Sequence, residues 1–174
     1  MDRIYLEAEQ AVRKHKTRDP YELLDTIGAY LEFSYDYEPN GLKGFSAIIN
    51  SVMYAVVNGN LGEHDRRIVA GHEAAHLILH RHEILRSPGR AMKDFDLYNE
   101  TSRLEYQANH FLANFLVSDE QVLDVAYGKS LGYFQIASEL YMPPPLLAFK
   151  LSSMVERGLP VKQPVGLKSD FLKY

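Results

Sequence analysis

His72-Glu73-Ala74-Ala75-His76 spells HExxH. On a helix, two histidines four residues apart are separated by about 40° around the axis, so both imidazoles reach one ion. The glutamate between them lies beside that ion and can act on its water as a general base. Ile68, Val69, Leu77, Ile78 and Leu79 give the run an apolar face, and after Gly71 neither Pro nor Gly interrupts it. The pattern predicts a helix over roughly 62–82 and a chemistry of metal-assisted hydrolysis.

A catalytic zinc takes three protein ligands and keeps a fourth position for water. His72 and His76 supply two, and the candidates for the third are Glu83, Glu100, Glu105, His80, His82 and His110. Glu83 lies seven residues past His76, about 10 Å along the axis and too far. His80 sits one turn past His76, where a third nitrogen on the same face is awkward; it suits a group behind the ligand, or a cation at the helix end. Glu105 is favoured because it adjoins the apolar stripe of Leu104 and Ala108 in the next long helix. A carboxylate at that core boundary costs free energy unless a cation compensates it. His110 lies about 140° from Glu105 around that helix, within reach of the cleft but not easily of the same ion.

The elements that must hold these groups can be read from periodicity and turn chemistry. Residues 3–16 suit an amphipathic helix. Asp19 as N-cap and Pro20 in the first turn start a second one, ending near Gly28. Leu31 to Glu38 alternates as a strand, and Pro39-Asn40-Gly41 makes a turn. Gly44–Ile49 and Ser51–Asn58 suit a hairpin about Asn50-Ser51. Residues 86–99 lack periodicity and read as a loop. Thr101 can cap a helix to about 117, and Ser118 with Gln121 can form a capping box for the next. Ser130–Leu140 and Pro144–Arg157 form a helix pair around Tyr141-Met142-Pro143, and the tail from Pro160 reads as loosely held. The class expected is α+β, mainly helical, with an antiparallel sheet of about three strands near the N-terminal half. Residues 1–125 would form the metal-binding domain. Residues 126–174 would form the helical pair and tail, packed on the same core.

Composition bounds the function. The chain has 174 residues, 46% of them hydrophobic, which suits one domain with a real core. There is no cysteine, which excludes disulfides, thiolate zinc sites, a cysteine nucleophile and the deformylase type of HExxH site with its cysteine ligand. The net charge is −4 without a basic run, so direct nucleic-acid binding is not favoured. The helix pair resembles a helix-turn-helix, but its second helix offers little beyond Lys150 and Arg157 as basic residues. No stretch approaches a membrane span and the N-terminus lacks the apolar core of a secretion signal, so the expected compartment is the cytoplasm.

His72-Glu73-x-x-His76 followed by Glu105-Tyr106-Gln107-Ala108-Asn109 resembles the ImmA/IrrE metallopeptidases, whose HExxH is followed some 25–30 residues later by E-x-x-A-N. Gly41-Leu42-Lys43-Gly44-Phe45, Tyr54-Ala55-Val56-Val57-Asn58 and Leu77-Ile78-Leu79-His80 resemble other family segments, so the likeness covers about residues 20–157. The chain departs from the family in carrying Ala74-Ala75 for Leu-Gly, which keeps small residues there, and Ser118 where proline is frequent. The resemblance implies a zincin with His72, His76 and Glu105 as ligands of one Zn²⁺ per chain and Glu73 as base. It also implies a setting near mobile elements and a helix-turn-helix transcriptional repressor as substrate. Candidates for a second electrophile at the oxyanion are His110, Tyr98 and Tyr54. The strand edge near Tyr54–Asn58 could pair with an extended substrate. Two other functions compete: a non-enzymatic regulator that keeps the zincin fold to bind protein or DNA, and a hydrolase of a small amide in a closed pocket.

Overall fold

A computed structural model describes residues 3–94, 98, 102–128 and 131–161. Helix α1 (Arg3–His15) leads to α2 (Pro20–Thr26), and the Asp19 side chain accepts from the N–H groups of Tyr21 and Glu22, as an N-cap should. Strand β1 (Ala29–Ser34) is followed by a hairpin of β2 (Gly44–Ile49) and β3 (Val52–Asn58). Its two turn residues, Asn50 and Ser51, both have positive φ (51° and 67°), the signature of a type I′ turn. Then come α3 (Glu63–Leu79), α4 (Arg81–Arg86), a single 3₁₀ turn at Pro88–Arg90 and β4 (Ala91–Asp94). The chain ends with α5 (Arg103–Leu116), α6 (Asp119–Gly128), α7 (Tyr133–Glu139) and α8 (Pro144–Glu156).

The class is α+β and mainly helical, but the sheet is not the expected antiparallel triplet. Among the described residues it has four strands in the order β1-β3-β2-β4, with β1 parallel to β3. The segment from Tyr35 to Lys43 is long enough to carry the chain past one strand position. That leaves the apolar β3 in the sheet interior, with its Ala55 and Val57 fully buried. The edge proposed for substrate at Tyr54–Asn58 is therefore taken on both sides, by β1 and β2. Strand β4 was hidden in a stretch read as loop; its order comes from pairing with β2, from Ala91 opposite Ala47 to Asp94 opposite Gly44. The metal helix ends earlier than 82, because His80 (φ −119°, ψ 26°) breaks it from α4. Ser102 stands at the N-cap position of α5 without a side-chain capping bond; the expected cap Thr101, the candidate ligand Glu100 and the tail beyond Val161 lie outside the described residues. The Ser118–Gln121 capping box forms, with each side chain bonding the other's backbone N–H (2.9 and 3.2 Å).

Two apolar cores meet at the α3–α5 pair. One joins the sheet, α1 and α2 to Val69, Ala70, Ala74 and Leu77 of α3 and to Ala108, Phe111 and Phe115 of α5. The other joins Ile68, Leu112 and Ala113 to α7 and α8 through Ala137, Leu146, Leu147 and Met154. Helix α8 is buried along most of its length, and the two basic residues noted on it turn inward. Lys150 is fully buried against Asp119 (2.8 Å). Arg157 forks onto the same carboxylate and lies 3.5 Å over the Tyr5 ring. Among the described residues no helix is long and apolar enough to cross a membrane.

Candidate metal centre

Close helix packing makes the site. A Cβ on Gly71 would come within 2.4 Å of Leu112 Cδ1 and 3.1 Å of Pro20 Cγ, so any side chain here would displace Leu112 and press on Pro20 where α3 packs on α5 and α2. The next residue, His72, thereby meets α5. Its Nδ1 lies 3.1 Å from Asn109 Oδ1 and its Nε2 2.9 Å from Glu105 Oε2. His76 Nε2 lies 3.0 Å from His72 Nε2 and 3.5 Å from Glu105 Oε1. Ligand atoms of His72, His76 and Glu105 all fall within 4.8 Å of one another.

These separations suit a single small cation. Zinc bonds nitrogen or oxygen at about 2.0–2.1 Å, which makes the edge of a tetrahedron about 3.3 Å. The closest approaches of 2.9, 3.0 and 3.5 Å are of that size, with His72 facing Oε2 and His76 facing Oε1 of the Glu105 carboxylate. With His72 Nδ1–H donating to Asn109 Oδ1, the neutral ring turns the lone pair of Nε2 toward Glu105 and His76, where an ion would sit. His72 and His76 are fully buried and the Glu105 side chain is 13% exposed, so the donors are set in low dielectric with Glu105 the one nearest solvent. Burial opposes ionisation of Glu105, but where the His72 and His76 rings turn N–H groups toward it their hydrogen bonds and charge outweigh that and hold its carboxyl well below the usual carboxylate range.

Glu73 is fully buried on the sheet side of α3. Beneath it runs β2, where Gly44 faces the carboxylate: a Cβ there would come within 2.7 Å of Glu73 Oε1, 2.6 Å of Val69 Cγ1 and 2.9 Å of the Val56 carbonyl oxygen. Of these only the Glu73 tip is flexible, Val69 being β-branched and buried and the Val56 oxygen backbone, so Gly44→Ala should cost stability and push the Glu73 carboxylate aside. Were Glu73 the base of a hydrolytic zinc centre, the expected result would be a turnover at least about 10-fold lower at unchanged zinc content, since small displacements of a reacting group cost that much or more. Turnover and zinc content equal to wild type would refute this role for Gly44.

Behind His76 stands His80, Nδ1 to Nδ1 at 2.9 Å, and His80 Nε2 lies 3.1 Å from Gln107 Oε1. Burial, and then the neighbouring His76, push the His80 pKa down, favouring the neutral ring. The other sequence candidates go elsewhere. Tyr54 stacks on Tyr30 (5.7 Å between centroids), and strand alternation puts both on the sheet face opposite Ala55, Val57 and α3. His110 is buried, stacked on Tyr106 at 5.5 Å and edge-on to Phe149 at 6.4 Å. Tyr98 lines a groove of about 460 Å³ with His64 and Asp65 of the first turn of α3 and with Phe134 and Tyr141 of the helix pair. Sequence reasoning gave no role to Asn109 or Gln107. The i,i+4 spacing of Glu105 and Asn109 signalled a shared helix face, whereas Gln107 carried no signal.

The chain matches the family described as IrrE N-terminal-like domain (Peptidase_M78) over residues 13–152. It is also similar to a protein of Bacillus phage phi105 named "Uncharacterized immunity region protein 2", with 30% identity over 112 residues. That alignment covers 64% of this chain and 66% of the relative, just under two thirds of the relative's length. No solved structure matches the chain.

Proposed function

The chain belongs to the IrrE N-terminal-like, Peptidase_M78 family of metallopeptidase-type domains, and from that premise we propose that it is a zinc-dependent endopeptidase which cuts a helix-turn-helix transcriptional repressor in the cytoplasm. The observation that carries the reading is the convergence of His72, His76 and Glu105 beside the buried Glu73. In this proposal the two imidazoles and the Glu105 carboxylate hold one zinc ion, and Asn109 orients His72. When bound, such an ion supplies Lewis acidity, lowering the pKa of a water it holds and polarising the substrate carbonyl. Glu73 takes the proton from the attacking water and passes it to the leaving nitrogen. The intact glutamate supports hydrolysis over a purely structural metal, which has no use for a base.

Strand topology supports a peptide as substrate. Among the described residues β4 is a sheet edge, and its Asp94 pairs with Gly44, the residue beneath the Glu73 carboxylate. An extended chain added to that edge brings its backbone toward the base, with main-chain hydrogen bonds giving affinity. The relative named for a phage immunity region supports a mobile-element setting and a regulatory target. The test is to incubate the purified chain with a helix-turn-helix repressor encoded beside its gene, with zinc, with a chelator, and with zinc restored. Two repressor fragments are expected in the first and third conditions only, with about one zinc bound per chain. A repressor left whole but co-eluting with the chain would favour the non-enzymatic regulator instead.

A further inference from the structure

We propose that Gln107 and His80 are positioning residues that set which nitrogen of His76 is available to the metal. The inference rests on the metal reading of His72, His76 and Glu105, and it concerns a chain of contacts that runs away from the ion. The three groups are linked in series: Gln107 Oε1 to His80 Nε2 at 3.1 Å, then His80 Nδ1 to His76 Nδ1 at 2.9 Å. His76 and His80 are buried (0% and 2% exposed), so water does not substitute for a missing partner there. The break of α3 at His80 gives the link its shape, because the backbone leaves the helix (ψ 26°) while the N–H still bonds the His76 carbonyl at 2.8 Å.

Each neutral imidazole has one N–H and one bare nitrogen, so the direction of the first bond fixes all the others. With the Gln107 oxygen accepting, His80 carries its proton on Nε2 and presents a bare Nδ1. That Nδ1 can only accept, so His76 carries its proton on Nδ1 and turns a bare Nε2 toward Glu105 and His72. In the reverse direction the Gln107 amide donates, His80 is protonated on Nδ1, and His76 must carry its proton on Nε2, where it blocks ligation. One amide orientation, two side chains from the ligand, thus decides whether His76 is a ligand or a donor. A glutamine that merely filled space would impose no such order.

The test measures zinc affinity, by competition with a chromophoric chelator, for the wild type, Gln107→Met and Gln107→Glu. Methionine keeps the volume and offers no acceptor; glutamate can only accept and preserves the direction. Gln107→Met should bind zinc about 10-fold to 100-fold more weakly, the usual cost of losing a group that orients a ligand, and Gln107→Glu should stay within about threefold of wild type on that scale. Nitrogen-15 NMR of the zinc-loaded wild type should show His80 protonated on Nε2 and His76 on Nδ1, with the His76 Nε2 on the metal, which separates an ordering role from mere packing. Equal affinity for Gln107→Met, or the opposite tautomers, would overturn the relay while leaving the metal site standing. A wild type that binds no zinc would sink the metal reading, and the relay with it.

Discussion

Replacing Glu73 with glutamine is expected to slow peptide cleavage about 10³-fold while zinc stays bound, because a positioned general base contributes 10²-fold to 10⁴-fold. The substitution exchanges one oxygen for an NH₂ and keeps the volume, so packing between α3 and β2 is undisturbed. The position is fully buried, and a neutral amide is cheaper to bury than a carboxylate, so the fold should not weaken. Zinc is held by His72, His76 and Glu105 in the proposal, and none of them is touched. The whole loss should therefore fall on turnover, equivalent to about 4 kcal/mol of barrier. Cleavage products followed against time, with zinc content measured on the same sample, check it. A zinc-loaded variant within tenfold of wild type would remove Glu73 from the mechanism.

How much of this site the sequence carried depended on whether a local period determined the geometry. The four-residue spacing of His72 and His76 needs only a helix, and the apolar face of 68–79 guarantees one. Glu105 was visible from its place beside an apolar stripe, where a lone carboxylate is costly. Strand β4 was not visible. Residues 91–94 have no alternation of their own, and their order comes from pairing with β2, a contact between segments some 45 residues apart. The side on which Tyr54 lies was illegible for a related reason. Both faces of β3 are apolar or aromatic, so the pattern did not tell which face meets α3; pairing with β1 and β2 decides that. The helix break at His80 lacks Gly or Pro, and the relay to Gln107 joins two helices whose contact no period encodes.

Truncating Glu105 to alanine should weaken zinc binding by more than about 100-fold, since changes behind a ligand already cost 10-fold to 100-fold and this one removes a ligand outright. The effect should appear in stability as well as in binding. Metal that binds only the folded chain stabilises it by RT ln(1 + [L]/Kd), about 4.1 kcal/mol at a thousandfold excess over Kd. With Kd raised 100-fold at the same zinc concentration, the gain falls to about 1.4 kcal/mol, so most of the zinc-induced rise in Tm should vanish. The zinc-free proteins should differ in the acid limb. In the wild type the Glu105 carboxyl has a depressed pKa when folded. It therefore contributes stability above its unfolded pKa, and that contribution is lost as pH falls through the folded value. The alanine variant has no such carboxyl and should show a flatter dependence below about pH 4. Melting curves with and without zinc, for both proteins, test the two halves separately. A Glu105→Ala chain whose Tm rises with zinc as far as the wild type's would mean that the third donor is another group.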